Sequence, residues 1–318
     1  GWGTMDTFGT LGERATIDGI RRVARPPPAP GSLCDDASLV SGTVACVDSV
    51  TLERHKPKGM SFERFGWTAA AVSLSDLAAM GATPTGILAA MLIPLDMPEK
   101  DILDMVSGMD QCAEFCDTHI YGGDTKPGLG SVSVTALGLM HGRNPMTRSG
   151  ARPGDMVAVT GALGGPAAGY ECLANGWAAE GGLEEAVESL YTPIPKVREG
   201  ILLSESGAVT SCIDLSDGLG TAANAVCGAS GVGMLIEASF LPMADGVGEA
   251  SEMGGTPAVD LMTAFGGEYE LMFTFPRDSL ENIHSLEMHF HIIGYVDGRD
   301  GVRMLEDGKE RGLGYGRY

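Results

Sequence analysis

Two carboxylates and a hydroxyl, from Asp214, Ser216 and Asp217, lie where a predicted strand turns into a predicted helix. The apolar run at 209–213 predicts a buried strand, and a helix of small and apolar residues follows over about 219–227. One side-chain oxygen is enough to accept a free N–H group at a helix start. Because this turn offers three side chains with such oxygens, we expect it to bind a ligand as well.

Aspartates close or interrupt several further apolar segments. Asp76 lies inside an otherwise apolar helix, Asp48 follows an apolar strand, Asp124 follows two glycines, and Asp35 and Asp36 form a pair. A buried carboxylate must be paired or bound to a metal, yet the chain has only 21 Lys and Arg against 42 Asp and Glu. Oxygen ligands without His or Cys partners select Mg²⁺ or Ca²⁺. We therefore expect the aspartates to converge on bound metal ions.

Carboxylates and divalent cations together indicate phosphate chemistry. The formal net charge is −21, which repels phosphate unless cations lie between the two. Mg²⁺ bridged by phosphate oxygens would offset that repulsion, as in phosphoryl transfer, where catalysis is mostly positioning and charge neutralisation. Arg148 is either a bidentate phosphate clamp or a plain surface arginine. The same negative charge argues against nucleic-acid binding.

Two other polar residues, His55 and Glu268, can be interpreted either as functional residues or as ordinary structural ones. His55 lies in a polar stretch that is typical of a solvated loop. Glu268 follows Gly266 and Gly267 at the start of a predicted strand, which is typical of a turn and an edge strand.

The chain has no Gly-x4-Gly-Lys-Ser/Thr loop, so a common nucleotide-binding loop is excluded.

The elements around these residues predict an α/β (α+β) chain of two domains. The length is 318 residues with 44% hydrophobic residues, enough for two cores. In the first half we expect strands at 38–47, 86–93, 117–121 and 131–140, and helices at 62–80 and 98–116. In the second half we expect strands at 156–160, 209–213, 232–238, 268–275 and 289–296, a glycine turn into a helix at 161–169, and a solvated helix or loop at 178–189.

Proline and glycine divide the chain into three parts. Residues 1–31 hold a predicted helix (about 7–23) and a proline-rich linker, since consecutive prolines fit neither a helix nor a central strand. A turn-rich segment at 143–155 separates a domain at 32–145 from a domain at 150–318. We expect Gly81 to end the 62–80 helix in a left-handed cap.

The cysteines and the hydropathy predict a cytoplasmic protein. The seven cysteines are an odd number, lie mostly in apolar elements and form no Cys-x-x-Cys pair. No apolar run reaches the roughly 18 residues that a membrane helix needs, and no leader pattern stands at the N-terminus. We therefore expect no membrane partner.

The motifs in order resemble the thiamine-monophosphate kinase family of the aminoimidazole-ribonucleotide synthetase superfamily. The resemblance runs from about residue 31 to 296. It rests on Asp35-Asp36-Ala37, Val47-Asp48-Ser49 with His55, Ser73-Leu74-Ser75-Asp76-Leu77-Ala78-Ala79-Met80-Gly81-Ala82, Gly122-Gly123-Asp124-Thr125, Arg148-Ser149-Gly150-Ala151-Arg152-Pro153-Gly154-Asp155, Asp214-Leu215-Ser216-Asp217-Gly218-Leu219 and Gly266-Gly267-Glu268-Tyr269-Glu270-Leu271.

This resemblance implies a two-domain synthetase-like fold. The N-terminal sheet domain (32–145) would bind ATP and metal and form a homodimer through a shared barrel, and an α/β domain (150–318) would follow. The implied reaction is direct in-line transfer of the ATP γ-phosphoryl group to thiamine phosphate, giving thiamine diphosphate, with several Mg²⁺ ions. An alternative is an ATP-dependent synthetase or kinase of the same superfamily with another small substrate. A further alternative is a non-catalytic nucleotide-binding relative.

The resemblance also assigns roles residue by residue. The metal ligands would be Asp36, Asp48, Asp76, Asp124, Asp214 and Asp217, of which Asp124, Asp214 and Asp217 would be catalytic. The nucleotide contacts would be Gly123, Asp124, Arg148 and Ser216, and the substrate contacts would be His55 and Glu268.

The chain departs from the family pattern at five places. Cys34 replaces a glycine, Cys46 and Val47 replace hydroxyl residues, and the family's Asp after Glu268 is missing. An Arg-Pro-x-Pro-Arg segment becomes Thr192-Pro193-Ile194-Pro195-Lys196, and a C-terminal tryptophan that stacks on substrate is absent. These departures bear on the substrate more than on the ATP and metal site.

Overall fold

The computed structural model describes residues 7–25, 27 and 35–316, and contains two β-sheets with helices packed on them. The proline-rich linker, apart from residues 25 and 27, and Cys34 lie outside the described residues.

The first half of the chain forms a five-stranded sheet and its helices. In order these are α1 (Phe8–Val23), β1 (Ser38–Val40), β2 (Thr43–Thr51), α2 (Leu52–His55), α3 (Phe62–Met80), β3 (Thr83–Ile93), α4 (Glu99–Phe115), β4 (Ile120–Pro127) and β5 (Ser131–Leu139). The strand order is β1-β2-β5-β3-β4, antiparallel except for the β3–β4 pair. β4 is therefore an edge strand.

The second half forms a seven-stranded sheet. Its elements are β6 (Asp155–Val159), α5 (Gly165–Asn175), α6 (Gly182–Tyr191), α7 (Val197–Ser206), β7 (Ser211–Asp214), α8 (Leu219–Ser230), β8 (Gly233–Glu237), α9 (Val247–Gly254), α10 (Ala258–Ala264), β9 (Leu271–Pro276), α11 (Leu280–His284), β10 (His291–Asp297), β11 (Val302–Glu306) and β12 (Lys309–Gly312), with short 3₁₀ helices at Ala238–Phe240 and Arg277–Ser279. The strand order is β12-β11-β8-β10-β6-β9-β7.

The two sheets show different burial patterns. Along β5 the buried residues alternate with partly exposed ones, so one face packs on helices and the other does not. Along β9 residues 271–275 are all buried, because both faces of the second sheet are covered there. One face of the first sheet therefore remains open in the single chain.

The helix α3 connects the two halves. It is buried around most of its circumference, as expected for a helix that is apolar on all sides. The Ser73 hydroxyl donates to the Val134 carbonyl of β5 (2.7 Å), and the Trp67 indole N–H donates to the Pro193 carbonyl of the second half (2.6 Å). Asp76, near the end of this helix, consequently lies between the two sheets.

Most predicted elements are confirmed, but the strand expected at 38–47 is two antiparallel strands, β1 and β2, joined by a turn at 41–42, and another strand is misplaced. The α3 limits match the prediction, and Gly81 ends the helix at a φ of 72° as a left-handed cap. The strand expected at 117–121 begins only at Ile120. The reason is that the chain at 116–118 still closes α4: the Thr118 N–H donates to the Ala113 carbonyl (2.9 Å), and Asp117 adopts a positive φ.

The Glu-rich segment at 178–189 is helical from Gly182, but it is not wholly solvated. Leu183, Ala186 and Val187 are buried on one face of α6, so the glutamates occupy only the outer side. Among the helices of the described residues, none has the length and apolar character needed to cross a membrane.

Candidate functional site

Three of the predicted metal ligands converge between the sheets. One carboxylate oxygen each of Asp36, Asp76 and Asp214 lies within 4.8 Å of the others. Asp36 precedes β1, Asp76 lies on α3 and Asp214 ends β7, so three separate elements supply one ligand each. We call these three residues the carboxylate cluster.

Local contacts fix the orientation of Asp214. The Ser75 hydroxyl, on α3, donates to Asp214 Oδ2 (2.6 Å), and both residues are buried. The turn after β7 is held by the loop before β9, because the Leu215 N–H donates to the Glu270 carbonyl (2.8 Å). A Cβ at Gly266 would lie 1.9 Å from the Ser216 carbonyl oxygen, so only glycine allows this loop to pack on the turn.

Burial and like charges favour the protonated forms of the cluster. Burial, and then the charge of Asp36, raise the pKa of Asp214 to about 7. Burial, and then the charges of Asp214, Asp48 and Asp36, raise the pKa of Asp76 well above its usual value. Burial also raises the pKa of Asp36, against the opposing effect of Arg148. Together these three carboxylates have too little positive charge around them to remain ionised.

Arg148 supplies a cation to the cluster. Its guanidinium forms an ion pair with Asp36 Oδ1, and its backbone N–H donates to Asp35 Oδ1 (2.9 Å). The second carboxylate oxygen of Asp36, Oδ2, is buried and has no hydrogen-bond partner among the described residues. Arg148 is therefore not a plain surface arginine.

The donor set fits a hard divalent cation. The cluster offers only carboxylate oxygens, with one buried oxygen unpaired, and Asp48 lies close enough to raise the pKa of both Asp76 and Asp214. A cation would satisfy the unpaired oxygen and remove the mutual repulsion. Mg²⁺ or Ca²⁺ matches ligands of this type.

Ser216 and Asp217 lie beside the cluster on the wall of a large cavity. This cavity has a volume of about 1050 Å³ and is bounded by both halves of the chain. Asp217 is exposed and lies three residues after Asp214, so it faces the cavity rather than the buried cluster. It offers its carboxylate where a ligand in this cavity would bind.

Asp124 is not brought to the cluster within one chain. It lies on β4, with its side chain 61% exposed, and pairs with Lys126 (3.2 Å). Three strand spacings separate β4 from β2, which carries Asp48, and this is roughly 14 Å. Its neighbour Gly123 also has a structural reason to be glycine, since a Cβ there would lie 1.7 Å from the Ala89 carbonyl oxygen.

His55 lines the large cavity near the first sheet. Its Nδ1 accepts a hydrogen bond from the Thr51 backbone N–H (2.9 Å), so the neutral ring carries its proton on Nε2. Burial lowers the pKa of His55, which favours that neutral form. The ring therefore offers an N–H donor.

Glu268 lines a second, smaller cavity of about 360 Å³. Its Oε1 accepts from the Gly164 N–H (3.1 Å), whereas its buried Oε2 has no hydrogen-bond partner among the described residues. Burial raises the pKa of Glu268 to about 8. The two predicted substrate contacts thus lie in different cavities, with Pro193 on the wall of both.

The sequence analysis assigned no role to Lys196 and Glu270, which line the smaller cavity. Lys196 Nζ lies 3.1 Å from Glu270 Oε1, and the Thr160 hydroxyl donates to the other oxygen of Glu270 (2.5 Å). No sequence pattern links residues so far apart along the chain. The sequence did contain one indication that Ser75 contacts the cluster, namely a hydroxyl directly before an aspartate in an otherwise apolar helix.

Two family models match the chain. The model described as AIR synthase related protein, N-terminal domain, matches residues 34–140, and the corresponding C-terminal domain model matches residues 152–306. A thiamine-monophosphate kinase from Methanopyrus kandleri is 34% identical over 278 residues, covering 87% of this chain and 86% of the relative.

Solved structures share the fold. AaThiL complexed with AMPPCP and TMP has a TM-score of 0.86 at 25% identity, covering 98% of both chains. Escherichia coli HypE, a hydrogenase maturation protein, has a TM-score of 0.72 at 22% identity, covering 91% of this chain and 90% of that one, which shows the common fold alone. These findings confirm the resemblance and the two-domain α/β fold inferred from the sequence.

Proposed function

The chain belongs to the thiamine-monophosphate kinase family of AIR synthase related proteins, and we propose that it transfers the γ-phosphoryl group of ATP to thiamine phosphate. The product is thiamine diphosphate. The observation that carries the proposal is the carboxylate cluster, with its unpaired Asp36 oxygen and its single arginine, beside a cavity of about 1050 Å³.

Asp36, Asp48, Asp76 and Asp214 would hold Mg²⁺ within one chain. Bound Mg²⁺ would neutralise the phosphate charge that this acidic chain otherwise repels. Asp217 and Ser216 would contact the metal-bound nucleotide from the cavity wall. Arg148, already paired with Asp36, holds that carboxylate in place and provides a guanidinium for phosphate oxygens.

We further propose a homodimer that joins the first sheets of two copies. The open face of this sheet carries exposed apolar side chains, and β4 is exposed along almost its whole length. The apolar side chains are Val40, Val47, Leu88, Leu92 and Leu139. Exposed apolar patches and unpaired edges of this kind are typical of interfaces. Pairing β4 with the partner's β1 edge on both sides would close a barrel.

This dimer gives Asp124 a role that the single chain does not. Asp124 lies at the far edge from the cluster of its own chain, and the twofold arrangement would place it near the cluster of the partner. Asp124 and Gly123 would then contact the nucleotide and metal bound by the other subunit. Each active site would be built from two copies.

His55 and Glu268 remain the candidate contacts to thiamine phosphate. His55 offers its Nε2–H for a phosphate oxygen, since its Nδ1 is occupied. Glu268 offers an unpaired oxygen in the smaller cavity, where a protonated carboxyl group can donate to a ring nitrogen. A different acceptor is the second candidate, because the loop before β9 is one residue shorter than in the family and holds Tyr269 at a φ of 51°.

The domain limits and the cellular location are also proposals. The first sheet occupies residues 38–139 and the second 155–312, which supports domains at 32–145 and 150–318. The cysteines of the described segments, at positions 46, 112, 116, 172, 212 and 227, are free thiols. Free, mostly buried thiols support a reducing cytoplasm.

The test is release of ADP from Mg-ATP with and without thiamine phosphate, with the products separated by chromatography. We expect ADP and thiamine diphosphate together, and only when both substrates and Mg²⁺ are present. ADP release at the same rate with and without thiamine phosphate would assign the site to another acceptor. No turnover under any condition would assign the chain to the non-catalytic relatives.

A further inference from the structure

The large cavity contains an aromatic pair that the family motifs do not include. Tyr170 lies on α5 and Phe265 directly follows α10, and their ring centroids are 5.5 Å apart at an interplanar angle of 32°. Both residues line the cavity. Tyr170 is 49% exposed, so about half of this residue remains uncovered by the protein.

The backbone places this pair next to the proposed phosphoryl-transfer site. A Cβ at Gly218 would lie 2.4 Å from the Phe265 carbonyl oxygen, so the backbone beside the Phe265 ring packs on the turn that holds Asp217. Ser216 and Asp217 line the same cavity as the two rings. A small ligand can therefore touch the turn and the ring pair at once.

The charges on the cavity wall differ between its two ends. Near the first sheet the wall includes Arg54, His55 and Lys56 against one acidic residue, Glu53. Near the aromatic pair it includes Glu171 and Asp260. Such a wall suits a ligand with an anionic end and a cationic end.

One arginine at the aromatic end is shared between two carboxylates, so it offsets only part of the acidity there. Arg311 pairs with both Asp260 and Glu306, at 3.1 Å each. The Tyr315 ring at the same end is already covered, because the Arg14 guanidinium lies 3.2 Å from its centroid. Of the cavity's exposed aromatic rings, Tyr170 is the one without such a cation among the described residues.

We propose that Tyr170, supported by Phe265, is the aromatic platform on which the cationic thiazolium ring of the acceptor stacks, which leaves the aminopyrimidine ring for Glu268 in the adjoining smaller cavity. This inference rests on the proposed function, since thiamine phosphate carries a phosphate at one end and a cationic aromatic ring system at the other. A cation over a tyrosine face, in addition to ring stacking, favours a cationic ring over the neutral adenine of ATP. Tyr170 thereby determines specificity for the acceptor without touching the reacting atoms.

The experiment compares steady-state constants of Tyr170→Ala, Tyr170→Phe and the wild type. We expect Tyr170→Ala to raise KM for thiamine phosphate by about tenfold, the size of one good cation–π contact. The KM for ATP should stay within about twofold of the wild-type value, and Tyr170→Phe should behave like the wild type because it keeps the ring.

The matched control is Tyr295→Ala, which removes a similarly exposed tyrosine (47%) from β10, outside the walls of both cavities. It should leave both KM values unchanged. Thermal melting of each variant identifies any that fails to fold, and Tyr170→Leu then replaces Tyr170→Ala.

Three outcomes would overturn the inference. An unchanged KM for thiamine phosphate in Tyr170→Ala would show that the ring makes no contact. A raised KM for ATP alone would assign the platform to adenine. Loss of acceptor binding in Tyr170→Phe as well would assign the effect to the hydroxyl group. A wild-type protein that does not phosphorylate thiamine phosphate would instead refute the proposed function, so the two failures are distinguishable.

Discussion

The carboxylate cluster and the edge strand β4 carry the same kind of residue in opposite surroundings. Asp36, Asp76 and Asp214 meet inside one folded chain, whereas Asp124 lies exposed at the far edge of the first sheet. Both positions show the same sequence feature, an aspartate next to an apolar element. The difference teaches that folding of one chain assembles only part of the predicted site, and under the proposed dimer a second copy supplies the rest.

The largest expected effect tests both regions at once. Asp214→Asn and Asp124→Asn should each lower kcat by at least about 10³-fold, because each removes a negatively charged metal ligand. The single variants are measured by thiamine diphosphate formation at saturating Mg-ATP. Full activity of Asp124→Asn would show that Asp124 is not a metal ligand, and the carboxylate cluster and β4 would then not belong to one site.

Mixing the two inactive variants sharpens the result. A mixed dimer has one intact cluster facing one intact Asp124, so random assortment should restore about a quarter of the wild-type activity. Co-expression with two different tags, followed by sequential purification, isolates the mixed dimer, which should show about half of the wild-type activity because one of its two sites is intact. Absence of any recovery would mean that Asp124 acts within its own chain.

The next effect concerns a buried carboxylate away from the cluster. Glu268 has a pKa of about 8 in the folded chain against about 4.5 unfolded, so the folded state binds more protons between those values. The free energy of unfolding should therefore fall as pH rises through this window, and Glu268→Gln should reduce that fall by a few kcal/mol.

Denaturant unfolding of both proteins from about pH 5 to 8 measures this difference, with saturating Mg²⁺ to keep the cluster ionised. Parallel pH profiles for the wild type and Glu268→Gln would show that Glu268 is ionised in the folded state. Burial alone would then be insufficient to protonate a carboxylate in this protein. Repulsion between like charges would become the decisive cause of the raised pKa values in the carboxylate cluster.

The smallest effect is a single hydrogen bond. Ser75→Ala should lower the free energy of unfolding by about 1 to 2 kcal/mol, since it leaves the buried Asp214 Oδ2 without its donor. Ser239→Ala removes a comparable bond to Glu237 at an exposed position (3.0 Å) and should change stability by less than about 0.5 kcal/mol. Equal effects of the two substitutions would contradict the burial argument.

Much of the fold was predictable from local patterns. The α3 limits and its left-handed end at Gly81 follow from an apolar run and a glycine, and both are confirmed. The strand at 117–121 was misplaced because a positive φ at Asp117 and a hydrogen bond back to Ala113 are tertiary and turn details that residue type does not specify. The buried face of α6 was missed because its glutamates dominate the local composition.

The sequence by itself predicted which residues carry the chemistry, because the aspartates at apolar elements are more numerous than helix capping requires. It also determined the family, through motifs that keep their order. Only the tertiary structure decided which of those residues meet. Asp76 meets Asp214 because α3 is buried between two sheets, while Asp124 stays apart because its strand, β4, forms the far edge of the first sheet. Contacts between residues far apart in sequence depend on packing and loop closure, which no local pattern encodes.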